Sequence, residues 1–137
     1  MKDKVFIDTN ILIYLQSGMN PAKMKASRLL FEKASSDQLI VLSTQVLQEF
    51  YVAMTRKLNH DPITVKNLLI LFDDFEIITI HKPIIFDAID ISVLHQLSFW
   101  DSLIISSASI SHCKVIYTED LNHGQLIRGV EIVNPFI

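Results

Sequence analysis

Apolar residues along this chain fall into two patterns that alternate. Short apolar runs, Val5-Phe6-Ile7, Leu39-Ile40-Val41-Leu42, Glu76-Ile77-Ile78-Thr79-Ile80 and Lys114-Val115-Ile116-Tyr117-Thr118, read as strands, the first of them buried on both faces. Val130 to Val133 predicts a short last strand before Asn134-Pro135. Between the runs, apolar positions recur at helical spacing. One helix starts at Ile11 and a second spans roughly Ala22 to Ser35, after the break Ser17-Gly18-Met19-Asn20-Pro21. A third runs from a Ser43 or Thr44 cap to about Leu58, with Val46, Leu47, Phe50, Tyr51, Met54 and Leu58 on one side. Asp61-Pro62 starts a fourth that reaches about Phe72. Pro83 opens a fifth to about Leu97, and Ser98-Phe99-Trp100-Asp101 leads into a sixth ending near His112. Strands alternating with helices predict an α/β fold, with a central parallel sheet of four to five strands flanked by helices on both faces. The helix pair between the second and third strands reads as an insertion. Residues 1–137 read as one domain, without repeats or a linker.

Composition narrows the class. Half of the 137 residues are hydrophobic and 20% are charged, which argues against disorder. No apolar run approaches the roughly 20 residues of a membrane span, and no signal peptide is evident. The single cysteine, Cys113, allows neither an internal disulfide nor a cysteine-based zinc site and suits a reducing cytoplasm. The net charge of −3 argues against indiscriminate nucleic-acid binding, but not against a site-specific nuclease whose acids cluster around cations. With three glycines, the chain has neither a P-loop nor a dinucleotide fingerprint.

The candidate chemistry is acidic. Asp8 stands where the first strand becomes a helix, at the carboxyl edge where open parallel sheets bind ligands. Asp120 follows the fourth strand at the same edge, Glu49 lies early in the helix after the second strand, and Asp101 occupies the first turn of the sixth helix. Each acid has a structural alternative: a helix cap for Asp8, a capping box with Ser98 for Asp101, a solvated flank beside Gln45 and Arg56 for Glu49, a turn before Gly124 for Asp120. Their coincidence at one rim favours a shared role. Clustered carboxylates repel unless cations lie between them, and oxygen-only ligands favour Mg²⁺ or Mn²⁺, the ions of phosphate chemistry. An aspartyl nucleophile would want an acid two residues after Asp8, and Asn10 stands there.

Other groups are weaker candidates. Asp73-Asp74 precedes its strand and falls at the opposite edge, while Asp87 and Asp90 read as solvated. The histidines at 60, 81, 95, 112 and 123 show no ligand spacing, although His123 is close to Asp120 in sequence. Phe99 and Trp100, beside a helix start, read as core residues, with base stacking as the alternative.

Four motifs carry a resemblance: Phe6-Ile7-Asp8-Thr9-Asn10, Ser43-Thr44-Gln45-Val46-Leu47-Gln48-Glu49-Phe50, Trp100-Asp101-Ser102-Leu103-Ile104 and Tyr117-Thr118-Glu119-Asp120-Leu121. In this order they resemble PIN-domain ribonucleases, most closely the VapC-like toxins of type II toxin–antitoxin systems, across essentially the whole chain. The resemblance implies that Asp8, Glu49, Asp101 and Asp120 bind Mg²⁺ or Mn²⁺ and catalyse, and that Thr9, Asn10 and Thr118 support them. Glu119, adjoining the fourth acid, is a supporting candidate, with sharing or replacing the role of Asp120 as the alternative. It implies metal-dependent endonucleolytic cleavage of RNA leaving a 5′-phosphate, a homodimer, and a protein antitoxin covering the groove. Lys23, Lys25, Arg28, Arg56 and Lys57 are basic candidates for the RNA backbone, against the alternative of a solvated helix face. A housekeeping PIN nuclease without an antitoxin, and a non-catalytic RNA-binding or dimerisation module, are the competing functions.

Overall fold

In the computed structural model, which describes residues 1–137, the sheet grows outward from β1 (Lys4–Ile7). Val5, Phe6 and Ile7 are fully buried, as expected of a strand with both faces covered. β2 (Leu39–Ser43) and β4 (Val115–Tyr117) flank β1, and both pair with it in parallel. β3 (Glu76–Ile78) lies outside β2, while β6 (Val130–Val133) lies outside β4 and is followed by β5 (Leu126–Ile127). The strand order is 3-2-1-4-6-5, parallel throughout except for the β5–β6 pair.

The sheet thus has six strands where the sequence pattern predicts four to five. The extra strand is β5, only two residues long. It is joined to β6 by a two-residue turn in which Arg128 and Gly129 both have positive φ (52° and 78°). That is the geometry of a type I′ hairpin, usually announced by Asn-Gly or Asp-Gly. Arg-Gly hides it.

Six helices fill the connections: α1 (Thr9–Ser17), α2 (Pro21–Asp37), α3 (Thr44–Val52), α4 (Pro62–Leu71), α5 (Lys82–His95) and α6 (Phe99–Ile110). The connections β1→β2 and β2→β3 step one way along the sheet, and α1 to α4 pack together as one layer. The connection β3→β4 steps back the other way, so right-handed crossing puts the α5–α6 pair on the opposite face.

Two predicted elements end early. The third strand stops at Ile78 rather than Ile80, because the Ile80 N–H donates to the Thr44 hydroxyl (3.2 Å) instead of the ladder. The third helix is α-helical only to Val52, and Ala53–Lys57 continues as a π-helical turn. At the junction the Ala53 N–H is shared between the Glu49 and Phe50 carbonyls, and the Thr55 hydroxyl donates back to the Tyr51 carbonyl (2.7 Å). Such turns occur often at functional sites.

Candidate active site

The strand order reverses direction between β1 and β4, and the crevice outside the carboxyl ends of such a pair is where open α/β sheets bind ligands. Asp8 leaves β1 there. Its N–H donates to the Tyr117 carbonyl at 3.0 Å, one step beyond the β1–β4 register that pairs Ile7 with Tyr117. Asp8 also caps α1: its Oδ1 accepts from the Thr9 N–H at 2.7 Å, and its Oδ2 accepts from the Thr118 hydroxyl at 2.8 Å. The carboxyl is 7% exposed. Burial pushes its pKa up to about 7; the bonds from Thr118 and Thr9 oppose this, and the charges of Glu49 and Asp120 add to it.

The other three acids open on the same cleft. Asp8, Glu49, Asp101 and Asp120 line one cavity of about 560 Å³, with Thr9 and Asn10 in its wall. Glu49 is held from both sides: the Thr9 hydroxyl donates to Oε1 at 2.8 Å, and the Gln45 amide lies 3.4 Å from Oε2. Asp101 sits in the first turn of α6, where its N–H donates to the capping hydroxyl of Ser98 at 3.1 Å. Asp120 accepts from the Asn10 amide at 2.9 Å, and its own N–H donates to the Thr118 hydroxyl at 3.1 Å. Partial desolvation raises the Asp120 pKa, the neighbouring charges of Glu119 and Asp101 reinforce the shift, and Asn10 and Lys23 counter it. One buried threonine, Thr118, therefore ties the acid of β1 to the acid that follows β4.

Glu119 is placed otherwise. It accepts from the Tyr14 hydroxyl at 2.6 Å and from the Lys23 ammonium at 2.7 Å, and it does not line the cavity. Lys23 is thereby committed to Glu119 and lies over the Tyr14 ring. Of the basic candidates only Lys57 lines the cleft, and it makes no ion pair. His123 Nδ1 accepts from the Asn134 N–H, outside the cavity. Asp87 is not free as the solvated reading has it: it pairs with Arg128 at 3.3 Å and accepts from the Ser106 hydroxyl.

The cleft also holds residues that the sequence leaves unremarked or assigns elsewhere. Gln48 lines it, and the buried Gln45 donates to the Trp100 carbonyl at 3.1 Å. The sequence already sets Gln45 beside Glu49, four residues apart on one helix flank, with a solvated face as the alternative; the structure buries Gln45 instead. Trp100 is not a core residue: it stands 61% exposed in the cleft wall, while its neighbour Phe99 takes the half-buried position.

The donor set fits a hard divalent cation. All the candidate ligands are oxygens, Asp8 buries a charge with no basic side chain bonded to it, and the buried Asn10 Oδ1 has no partner. No three acidic side chains close on one point as a ready-made cage. An ion held by few carboxylates and its own waters needs none, which is the habit of Mg²⁺.

The PIN domain family model matches residues 5–127, a span that includes all four acids of the cleft. The chain belongs to that family. Among solved structures it is similar to VapC20 of Mycobacterium tuberculosis, described as a sarcin-ricin-loop-cleaving toxin (TM-score 0.71, 19% identity, covering 85% of this chain and 89% of that one). It is likewise similar to a chain of a toxin–antitoxin complex from Klebsiella pneumoniae (TM-score 0.72, 23% identity, 96% and 97% covered). A third similar chain comes from VapBC2 of Rickettsia felis bound to promoter DNA (TM-score 0.67, 18% identity, 94% and 96% covered). No curated protein matches by sequence.

Proposed function

We propose that this protein is a metal-dependent endoribonuclease and the toxin of a toxin–antitoxin pair, with residues 1–137 acting as one nuclease unit. The observation that carries the reading is the meeting of Asp8, Glu49, Asp101 and Asp120 in one cleft, although they come from four separate segments of the chain. Mg²⁺ or Mn²⁺ held by these carboxylates would supply positive charge for the phosphodiester and would lower the pKa of a bound water so that hydroxide is available near neutral pH. Asp8 would be a ligand of that ion, because it is buried and already oriented by Thr9 and Thr118. Glu49, Asp101 and Asp120 complete the acidic ring, and the Asn10 amide and Thr118 hydroxyl hold Asp120 toward it. Lys57 attracts the RNA backbone to the same cleft. Water oxygen bonds to phosphorus as the P–O3′ bond breaks, leaving a 5′-phosphate and a 3′-hydroxyl.

The toxin role is supported by the similar chains, which come from a sarcin-ricin-loop-cleaving toxin and from toxin–antitoxin complexes. A protein antitoxin and a homodimer belong to the same reading. The second copy docks on the outer side of α5, where Phe86, Ile89 and Val93 recur at helical spacing and stay exposed. A cytoplasmic site of action accords with the buried, unpaired Cys113, and no helix is long and apolar enough to cross a membrane. Purified protein with Mg²⁺ or Mn²⁺ is expected to cut RNA to 5′-phosphorylated ends, and Asp8→Asn to lose at least a hundred-fold in rate, roughly the cost of removing a key electrostatic group. Equal cleavage by the two proteins would assign the activity to a contaminant.

A further inference from the structure

Trp100 is the second residue of α6, and its place in the cleft wall is at odds with its chemistry. An indole gains most from burial, yet 61% of this one is exposed beside four carboxylates. Its surroundings nevertheless hold it still. The ring packs against Phe99 in an edge-to-face pair (centroids 5.2 Å apart, planes at 74°), and Phe99 rests on the Ile84–Ala88–Leu103 cluster. The Trp100 carbonyl accepts from the Gln45 amide, whose nitrogen also lies 3.4 Å from Glu49 Oε2. One buried side chain therefore sets the tryptophan in register with an acid of the site, and the next residue, Asp101, is another of those acids. The remaining wall offers polar contacts through Gln48 and one free cation, Lys57.

A braced, open aromatic face beside a phosphate-handling centre is what an unpaired base needs. We propose that Trp100 is the specificity-determining residue of the cleft: its indole stacks on one base flanking the scissile phosphate, so the site selects RNA that is unpaired at the cut. This rests on the nuclease reading above. Bases inside an A-form duplex are stacked on one another and cannot reach the ring without being splayed out. Lys57 and the acidic ring act on the backbone of any strand, whereas Trp100 acts only where a base is free.

The chain has a single tryptophan, so its emission reports this position alone. The Asp8→Asn protein is titrated with a short single-stranded RNA spanning a mapped cut, with the same strand annealed to its complement, and with versions abasic at each nucleotide flanking the cut. Single-stranded RNA is expected to quench the emission, and the duplex to leave it unchanged. One abasic position is expected to weaken binding roughly ten-fold. In Trp100→Ala that abasic substitution costs nothing further, and Trp100→Phe keeps most of the affinity. Both variants lack tryptophan, so the affinities of all proteins are compared by the anisotropy of end-labelled RNA. Circular dichroism establishes that both variants fold. Equal abasic penalties in Trp100→Ala and the parent would overturn the stacking role, while Asp8-dependent cleavage would still stand. Emission that responds to protein dilution but not to RNA would reassign the tryptophan to a protein interface. RNA left uncut by wild type and Asp8→Asn alike would reject the nuclease reading itself.

Discussion

Asp8 is strained electrostatically by the position that makes it useful. Its carboxyl is taken out of water at the end of a buried strand, and two hydroxyl or amide donors only partly offset that loss. The folded pKa of about 7 lies above the ordinary value of 3.8, so the native state holds the proton more tightly than the unfolded chain. In metal-free protein the stability contributed by protonated Asp8 is therefore expected to be fully present below about pH 4 and to be lost as pH rises toward and through 7. Asp8→Asn, which cannot ionise, is expected to remove the Asp8 share of this slope, leaving the smaller part due to Asp120, and to be more stable than wild type at pH 8 by roughly 1–3 kcal/mol. Urea unfolding in EDTA across pH 4 to 8 reads both effects, and a wild-type curve flat with pH would refute the burial argument. On the proposed metal-binding role, a divalent cation is expected to restore stability to wild type and to do little for the variant, because it would supply the missing counter-charge.

Among the elements, the π-helical turn Ala53–Lys57 has the clearest effect on the site. It follows directly on the α-helix that carries Gln45, Gln48 and Glu49, and it contributes Ala53 and Lys57 to the cleft. A regular helix advances 100° per residue, so the wider turn delays Lys57 and changes the face it presents. Lys57 makes no internal ion pair, so its loss costs the fold little. Lys57→Met is expected to leave thermal stability unchanged while weakening RNA binding. It should also reduce the dependence of log affinity on log salt by about 0.7, the value for one phosphate contact on a single strand. A salt slope identical to wild type would place the RNA backbone elsewhere. Gln45 makes the complementary link, joining α3 to the start of α6 through the Trp100 carbonyl.

For the whole molecule, the topology decides where chemistry is possible. Reversal of strand order between β1 and β4 leaves a crevice, and α1, α3 and α6 supply its walls. The α5–α6 layer has a second consequence. Its inner side buries Ile84, Ala88 and Ile91, while Phe86, Ile89 and Val93 face outward with no partner in the monomer. Val93 is 74% exposed, so Val93→Glu is expected to fold normally and, if the proposed homodimer uses this face, to shift it to monomer in light scattering. An unchanged mass would remove α5 from the interface.

How much of this was legible in the chain follows from the range of the forces involved. Strand runs, helix caps and proline starts are local, so β1, β2, β4 and all six helices lie close to their expected places. The acids were legible for the same reason, since each follows a strand or opens a helix, and parallel strands send such residues to one rim. The deviations have nonlocal causes. Ile80 leaves the sheet for a hydroxyl 36 residues away, and β5 exists only because β6 offers it an edge. Residue type alone does not say which way a side chain turns when the backbone allows either. Asp120 faces the cleft because Asn10 and Thr118 hold it there, while adjacent Glu119 turns to Lys23 and Tyr14. Trp100 has a core residue's composition and a surface residue's exposure, because Phe99 already fills the apolar space beneath it. The sequence by itself determined the α/β class and the placing of four acids at one rim, through short-range pattern. Only the tertiary structure decided which neighbours complete the cleft, because that depends on competition between partners far apart in the chain.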